Sequence, residues 1–92
     1  MNLRDFRYFL AAAEHRHLGR AAQACAVTQS TLSAGILMLE HQLDAEILDR
    51  GMGKRVVFTT LGRELVERAR AAMAALQGVV EAAGMFATGC FL

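Results

Sequence analysis

Apolar residues recur every three or four positions along most of this chain, the period of helices that bury one face. Over residues 2–15, Leu3, Phe6, Phe9, Leu10 and Ala13 share one side, and Arg4, Arg7 and Glu14 take the others. Asn2 suits the N-cap of this helix, and Asp5 in its first turn complements the positive end of the helix dipole. A short connection through His15, Arg16, His17, Leu18 and Gly19 comes next. Residues 19–25 (GRAAQAC) predict a short second helix whose small residues Ala21, Ala22 and Cys25 allow close approach to a neighbour. Ala26, Val27 and Thr28 interrupt the pattern, and Thr28 caps a third helix over residues 29–42 with the inward stripe Leu32, Ile36, Leu39 and Leu43. Two β-prone runs, AEILDR (45–50) and KRVVFT (54–59), flank Gly51, Met52 and Gly53 and predict a small hairpin. Thr59 or Thr60 then caps a last helix of about 24 residues, roughly 36 Å long at the helical rise. Its stripe is Leu61, Leu65, Ala69, Met73, Leu76, Val80 and Ala83, and the pattern fades from Gly84.

A short helix, a tight turn and a longer helix with a polar, uncharged first turn form the arrangement of a helix-turn-helix. The expected fold is mostly α: a winged helix-turn-helix with a three-helix core and a short β-hairpin wing over residues 1–59, then a long linker or dimerisation helix over residues 60–84. Residues 85–92 read as a poorly ordered tail. The first turn of the third helix offers Gln29, Ser30, Thr31 and Ser33, side chains able to donate to and accept from base edges or phosphates. Arg50, Lys54 and Arg55 cluster around the hairpin turn. The apolar face of the last helix exceeds what so small a core covers. Leu61, Leu65, Ala69, Met73, Leu76 and Val80 are therefore the expected dimer contacts, with a second copy as the simplest cover.

Ninety-two residues are one domain's length, with 54% hydrophobic and 21% charged residues, which excludes disorder by composition. Ten Lys and Arg against nine Asp and Glu leave a net charge of +1, too little for non-specific polyanion binding, so the placement of charge matters more than its sum. The start, MNLRDFRYFL, lacks the basic-then-apolar order of a secretory signal. Residues 21–39 are uncharged, but Gln23, Thr28, Gln29, Ser30, Thr31 and Ser33 make them too polar for a membrane span. A cytoplasmic location with no membrane partner is the expectation.

The stretches RDFRYFLAAAEHRHLGRAAQAC, VTQSTLSAGILMLEHQL, ILDR and VVFTTLGRELVERAR resemble, in this order and spacing, the N-terminal DNA-binding domain of LysR-type transcriptional regulators. The resemblance covers about residues 1–83, and EHRHLGRAA followed by Cys25 is similar to the peroxide-sensing OxyR branch. It implies a cytoplasmic bacterial regulator that binds double-stranded DNA as a homodimer or higher homo-oligomer. The third helix would lie in the major groove and the wing on the flanking backbone or minor groove. Base reading then falls on Gln29, Ser30, Thr31 and Ser33, and phosphate or wing contact on Thr28, Arg20, Arg50, Lys54 and Arg55, with Arg4, Arg7 and Arg16 as secondary phosphate ligands. The chain departs from the family pattern at several places. Leu37 and Met38 stand where Arg or Lys is usual, Ser30 replaces a common Pro, and Asp44 replaces a Gly near the end of the third helix. Two lost phosphate contacts flatten the salt dependence of binding by roughly two units of slope. The family's effector-binding domain is expected to be absent, and no small-molecule ligand is expected for this chain.

Other chemistries find less support. Cys25 and Cys90 are too few for a disulfide scaffold, and Cys25 reads as a packing residue before it reads as a thiol sensor. His15, His17 and His41 lack the spacing of a metal site, and nucleophile–base pairs and phosphate-binding glycine loops are missing, so neither metal, cofactor nor enzymatic activity is expected. The rival to DNA reading is a truncated interaction module that pairs with a full-length regulator through the last helix, suggested by Leu37, Met38 and the short chain.

Overall fold

The computed structural model describes residues 2–49 and 55–87. Most of these lie in α1 (Leu3–His15), α2 (Leu18–Ala24), α3 (Gln29–Leu43) and α4 (Thr60–Ala87). The caps explain the boundaries. Asn2 Oδ1 accepts the Arg4 N–H at 2.9 Å, and Thr28 Oγ1 accepts the Thr31 N–H at 3.1 Å. α2 starts one residue earlier than the small-residue run suggests, because His17 Nδ1 accepts the Arg20 N–H at 3.2 Å and caps it. Thr59, rather than Thr60, caps α4: its hydroxyl accepts the Gly62 N–H at 3.0 Å and donates to the Glu46 carbonyl at 2.8 Å. α4 runs on to Ala87, so residues 85–87, expected in a tail, are helical; residues 88–92 lie outside the described residues.

α1, α2 and α3 enclose the core around Phe9, Leu32, Ile36 and Leu39, and Ile47 closes it from the segment after α3. The expected face of α1 needs correction. Leu3 is 55% exposed, and Phe6, Leu10 and Ala13 are only half-buried. The inward line is Asp5, Tyr8, Phe9 and Ala12, because Tyr8 and Asp5 meet α3 at Gly35, where a Cβ would press on both side chains. α4 uses Val66 and Ala69 for its own core, with Leu65 half-buried beside them. Ala69, expected at a dimer surface, is therefore enclosed within its own chain.

The hairpin expected over residues 45–50 and 54–59 is reduced to single antiparallel bridges among the described residues. Leu48 pairs with Phe58, and the Asp49 N–H donates to the Val57 carbonyl at 2.7 Å. A third line has no signal in the residue pattern: His17 pairs with Arg55, and the Val56 N–H donates to the Arg16 carbonyl at 3.3 Å. The Phe58 ring stands edge-on to Phe9, with centroids 5.5 Å apart, and fixes this segment to α1. The turn at Gly51, Met52 and Gly53, with Arg50 and Lys54, lies outside the described residues.

Among the described residues, three that are not glycine have positive φ: Arg16 (54°) and Asp44 (51°) end α1 and α3, and Ala26 (57°) forms the turn between α2 and α3. At Ala26 the left-handed backbone costs about 1–2 kcal/mol, part of which returns because alanine is less free than glycine when unfolded. Ala26→Gly should therefore stabilise the fold by about 0.5–1 kcal/mol, read as a higher urea midpoint at fixed protein concentration. A lower midpoint would show the turn to be unstrained.

Glu40 is the buried carboxylate that joins α3 to residues 47 and 48. It is 7% exposed, and its Oε2 accepts the Ile47 N–H at 2.8 Å and the Leu48 N–H at 3.3 Å. Glu40→Ala leaves both buried donors without this acceptor, at about 1–3 kcal/mol each. We expect a total loss of roughly 2–4 kcal/mol in urea unfolding, with Glu40→Gln losing clearly less because its amide oxygen still accepts.

Candidate nucleic-acid interface

The interface is built from the turn that sets α2 against α3. The Cys25 N–H donates to the Ala21 carbonyl, the Ala26 N–H to Gln23 and the Val27 N–H to Ala22, at 3.0–3.1 Å, so α2 closes on itself before the chain reverses. Ala21 and Ala22 are buried, and their small side chains let α3 cross close by. This brings the first turns of the two helices together: the Gln29 Oε1 lies 3.6 Å from the point where a Cβ on Gly19 would stand.

Of the four expected base-reading residues, Gln29, Ser30 and Thr31 are exposed side by side and Ser33 is half-buried. The Thr28 hydroxyl donates to Thr31 Oγ1 at 2.9 Å while accepting the Thr31 N–H. Thr28 is therefore committed to the cap, whereas the Thr31 hydroxyl hydrogen is left to donate outward. Gln29 and Ser30 keep their side-chain groups at the surface. Arg20 is exposed in the first turn of α2. Leu37 and Met38 are 56% and 52% exposed, so the two positions where the family carries cations present apolar surface instead.

Arg55 is exposed next to His17, close to the α2 cap; Arg50 and Lys54, expected with it, fall outside the described residues. Spacing alone did not bring Arg55 together with Arg16, Arg63 and Arg70. All four line an open cleft of about 710 Å³ between the end of α1, residues 55–58 and the first turns of α4. Its apolar lining is Ala13, Val56, Val57, Phe58 and Val66. Arg63 and Arg70 are seven apart on one helix, a separation that returns to the same face and was the available signal. A second open cleft, which Thr59 also lines, carries Glu40, Asp44, Glu46 and Asp49 with His41. The first cleft thus gathers four arginines with Glu67, and the second four carboxylates. Among the described residues, no group of three His, Cys, Asp or Glu is placed to hold a metal ion, and no helix is long and apolar enough to cross a membrane. Cys25 is half-buried at the end of α2, packed against the core.

The expected dimer contacts divide. Leu61, Leu76 and Val80 are 44%, 40% and 62% exposed, Leu65 and Met73 are half-buried, and Ala69 is enclosed.

Known proteins with this arrangement are numerous. The chain is 50% identical over 70 residues to the hydrogen peroxide-inducible genes activator of Pectobacterium carotovorum subsp. carotovorum, covering 76% of this chain and 23% of that protein. Over the same shares it is 49% identical to the DNA-binding transcriptional dual regulator OxyR of Escherichia coli K12. The chain thus spans about a quarter of the length of these relatives. Among solved structures, full-length OxyR from Pseudomonas aeruginosa superimposes with a TM-score of 0.85 at 37% identity, over 90% of this chain and 28% of that one. The BenM DBD in its benA site 1 DNA complex gives a TM-score of 0.88 at 30% identity, over 97% of this chain and 99% of that one. The family model for the bacterial regulatory helix-turn-helix protein, lysR family, matches residues 3–63, and with the helix-turn-helix just described this chain belongs to that family, on its OxyR-like side.

Proposed function

We propose that this chain is the sequence-specific DNA-binding module of an OxyR-like transcriptional regulator and that it acts as a dimer, not as an enzyme. The observation that carries the proposal is the first turn of α3. Thr28 caps it, Gln29, Ser30 and Thr31 stand exposed beside the first turn of α2, and the same fold is found in a relative solved with DNA. A helix entering the major groove by its N-terminal turn presents these side chains to base edges. Gln29 carries both a donor and an acceptor and is suited to bidentate contact with adenine. Ser30 and Thr31 add single hydroxyls, and half-buried Ser33 contributes at the margin.

Arg20 sits where it can neutralise a phosphate next to the α2 terminus. Arg55, with Lys54 and Arg50 next to it in sequence, would anchor the wing on the backbone or in the minor groove. With Leu37 and Met38 exposed, the outer face of α3 supplies no cation at these positions, so this mode of binding leans on the wing and on α2. Dimerisation through Leu61, Leu65, Met73, Leu76 and Val80 sets two α3 helices on successive major grooves of a partly palindromic site. The names of these bacterial relatives support gene regulation, with hydrogen peroxide as the signal to test first.

Two measurements test this reading. A duplex pool selected on the chain should enrich a short inverted repeat, and Gln29→Ala should weaken that selected site by about 1–3 kcal/mol with little change on random duplex. Equal losses on both duplexes would remove Gln29 from base reading. Lys54→Ala combined with Arg55→Ala should weaken both duplexes and lower the slope of log affinity against log salt by about two; an unchanged slope would take the wing off the phosphates.

A further inference from the structure

α3 changes character along its length. One line of residues follows it in alternate steps of four and three: Ser30, Ala34, Leu37, His41 and, at the C-cap, Asp44. Positions at this spacing share one side of a helix. The line begins polar, becomes apolar at Ala34 and Leu37, and ends at a carboxylate. Leu37 and its neighbour Met38 are both more than half exposed. Leu37 also lines the second cleft, an open space of about 910 Å³ whose other apolar lining is half-buried Ala45 and buried Leu48. Asp44, Glu46 and Asp49 stand exposed at the same cleft, and no Lys or Arg lines it among the described residues. Glu40 is committed to the Ile47 and Leu48 amides, whereas no ion pair engages Asp44 or Glu46 among the described residues. Exposed apolar surface rimmed by charge of one sign is the composition of a binding face.

Its possible occupants differ in sign and shape. A duplex backbone or an anionic lipid surface carries the same sign as Asp44, Glu46 and Asp49 and is repelled there. A second copy offers Arg16, Arg55, Arg63 and Arg70, but these also line a recess, and two recesses do not fill one another. A projecting helix with apolar residues on one face and Lys or Arg at its margins matches both the apolar wall and the carboxylates. We propose that the second half of α3 and the cleft beside it dock a basic amphipathic helix of a partner protein. Its apolar anchors rest on Leu37 and Leu48, and its cations meet Asp44 and Glu46. This goes beyond the DNA-binding reading and does not depend on it, because the first turn of α3 is not part of the surface.

The probe is a fluorescein-labelled peptide of Leu and Lys, about 14 residues long, with Leu at i, i+3, i+4 and i+7. Its anisotropy is followed as the full chain is added at fixed ionic strength, without DNA. Two control peptides keep the pattern, one with Glu for every Lys and one with Ser for every Leu. The Leu/Lys peptide should saturate at one per chain with a Kd at least about tenfold below either control, since sign and anchor are both needed. A control that binds as tightly, or a Leu/Lys peptide that does not bind, would overturn the proposal. Asp44→Asn with Glu46→Gln should raise the Kd by roughly fivefold or more, and Leu37→Ala with Met38→Ala by roughly tenfold. Asn is the choice at position 44 because it accepts the left-handed φ of 51°. Far-UV circular dichroism and the urea midpoint check that both variants stay folded. Leu76→Ala with Val80→Ala, on the exposed end of α4, should leave the Kd within about twofold. A loss there in place of the losses on α3 would move the docking to α4 and overturn the proposal. Gln29→Ala should leave peptide binding unchanged, so a failure of docking and a failure of the DNA-binding reading are told apart.

Discussion

The carboxylate of Glu40 is the point on which the two halves of this molecule meet. α3 carries the exposed polar turn at its start, whereas residues 47–58 and α4 carry the arginine cleft and the apolar extension. Only one segment, between Leu43 and Thr60, connects them in the chain. By accepting the backbone N–H groups of Ile47 and Leu48, Glu40 fixes that segment to the last turn of α3. Ile47 is then fully buried, its carbonyl receives the Thr59 N–H at 3.2 Å, and Gly62 packs on the same carbonyl so closely that a Cβ would collide with it. Thr59 ties the start of α4 to Glu46. This buried acceptor is expensive to remove, because its loss strands two amides. The placement of α4 against α3 depends on this contact.

Charge is arranged on the same frame. The chain is almost neutral, yet one cleft gathers Arg16, Arg55, Arg63 and Arg70 and another Glu40, Asp44, Glu46 and Asp49. Segregation gives a nearly neutral protein a local field of definite sign on each side. The exposed Leu37 and Met38 fit this arrangement, since affinity in such a protein depends on where its few cations stand.

The strained turn at Ala26 and the cap at Thr28 serve placement more than stability. The left-handed backbone at Ala26 reverses the chain in the fewest residues, and Thr28 begins α3 with its hydroxyl already engaged. The donor left free on Thr31 and the amide of Gln29 are therefore held on a helix end beside the start of α2.

Much of this was legible in the order of residues because it is local. The helices at α1, α3 and α4 come from the 3.6-residue period, and the caps at Asn2 and Thr28 from short side-chain oxygens next to the first turn. The polar start of α3 could be read at once, since one turn of helix contains it. Contacts between elements distant in the chain were not legible in this way. Asp5 and Tyr8, rather than Leu3, face inward because α3 offers Gly35 at their crossing. His17 joins Arg55 at a backbone bridge, and the expected hairpin shortens to single bridges, because pairing across such distances depends on packing against α1 through Phe9 and Phe58. Ala69 looked like surface on a helical wheel and proved to be core, since periodicity names a face without naming what covers it. Glu40 lies four residues after Ile36, on the inward stripe, and that misplaced charge was a usable warning of a buried anchor. Residue order settled which segments are helical and, to within about a residue, where they begin. Which faces touch, and how charge is divided between the two clefts, came from the assembled fold, because those depend on free energies of contact between groups that the chain holds far apart.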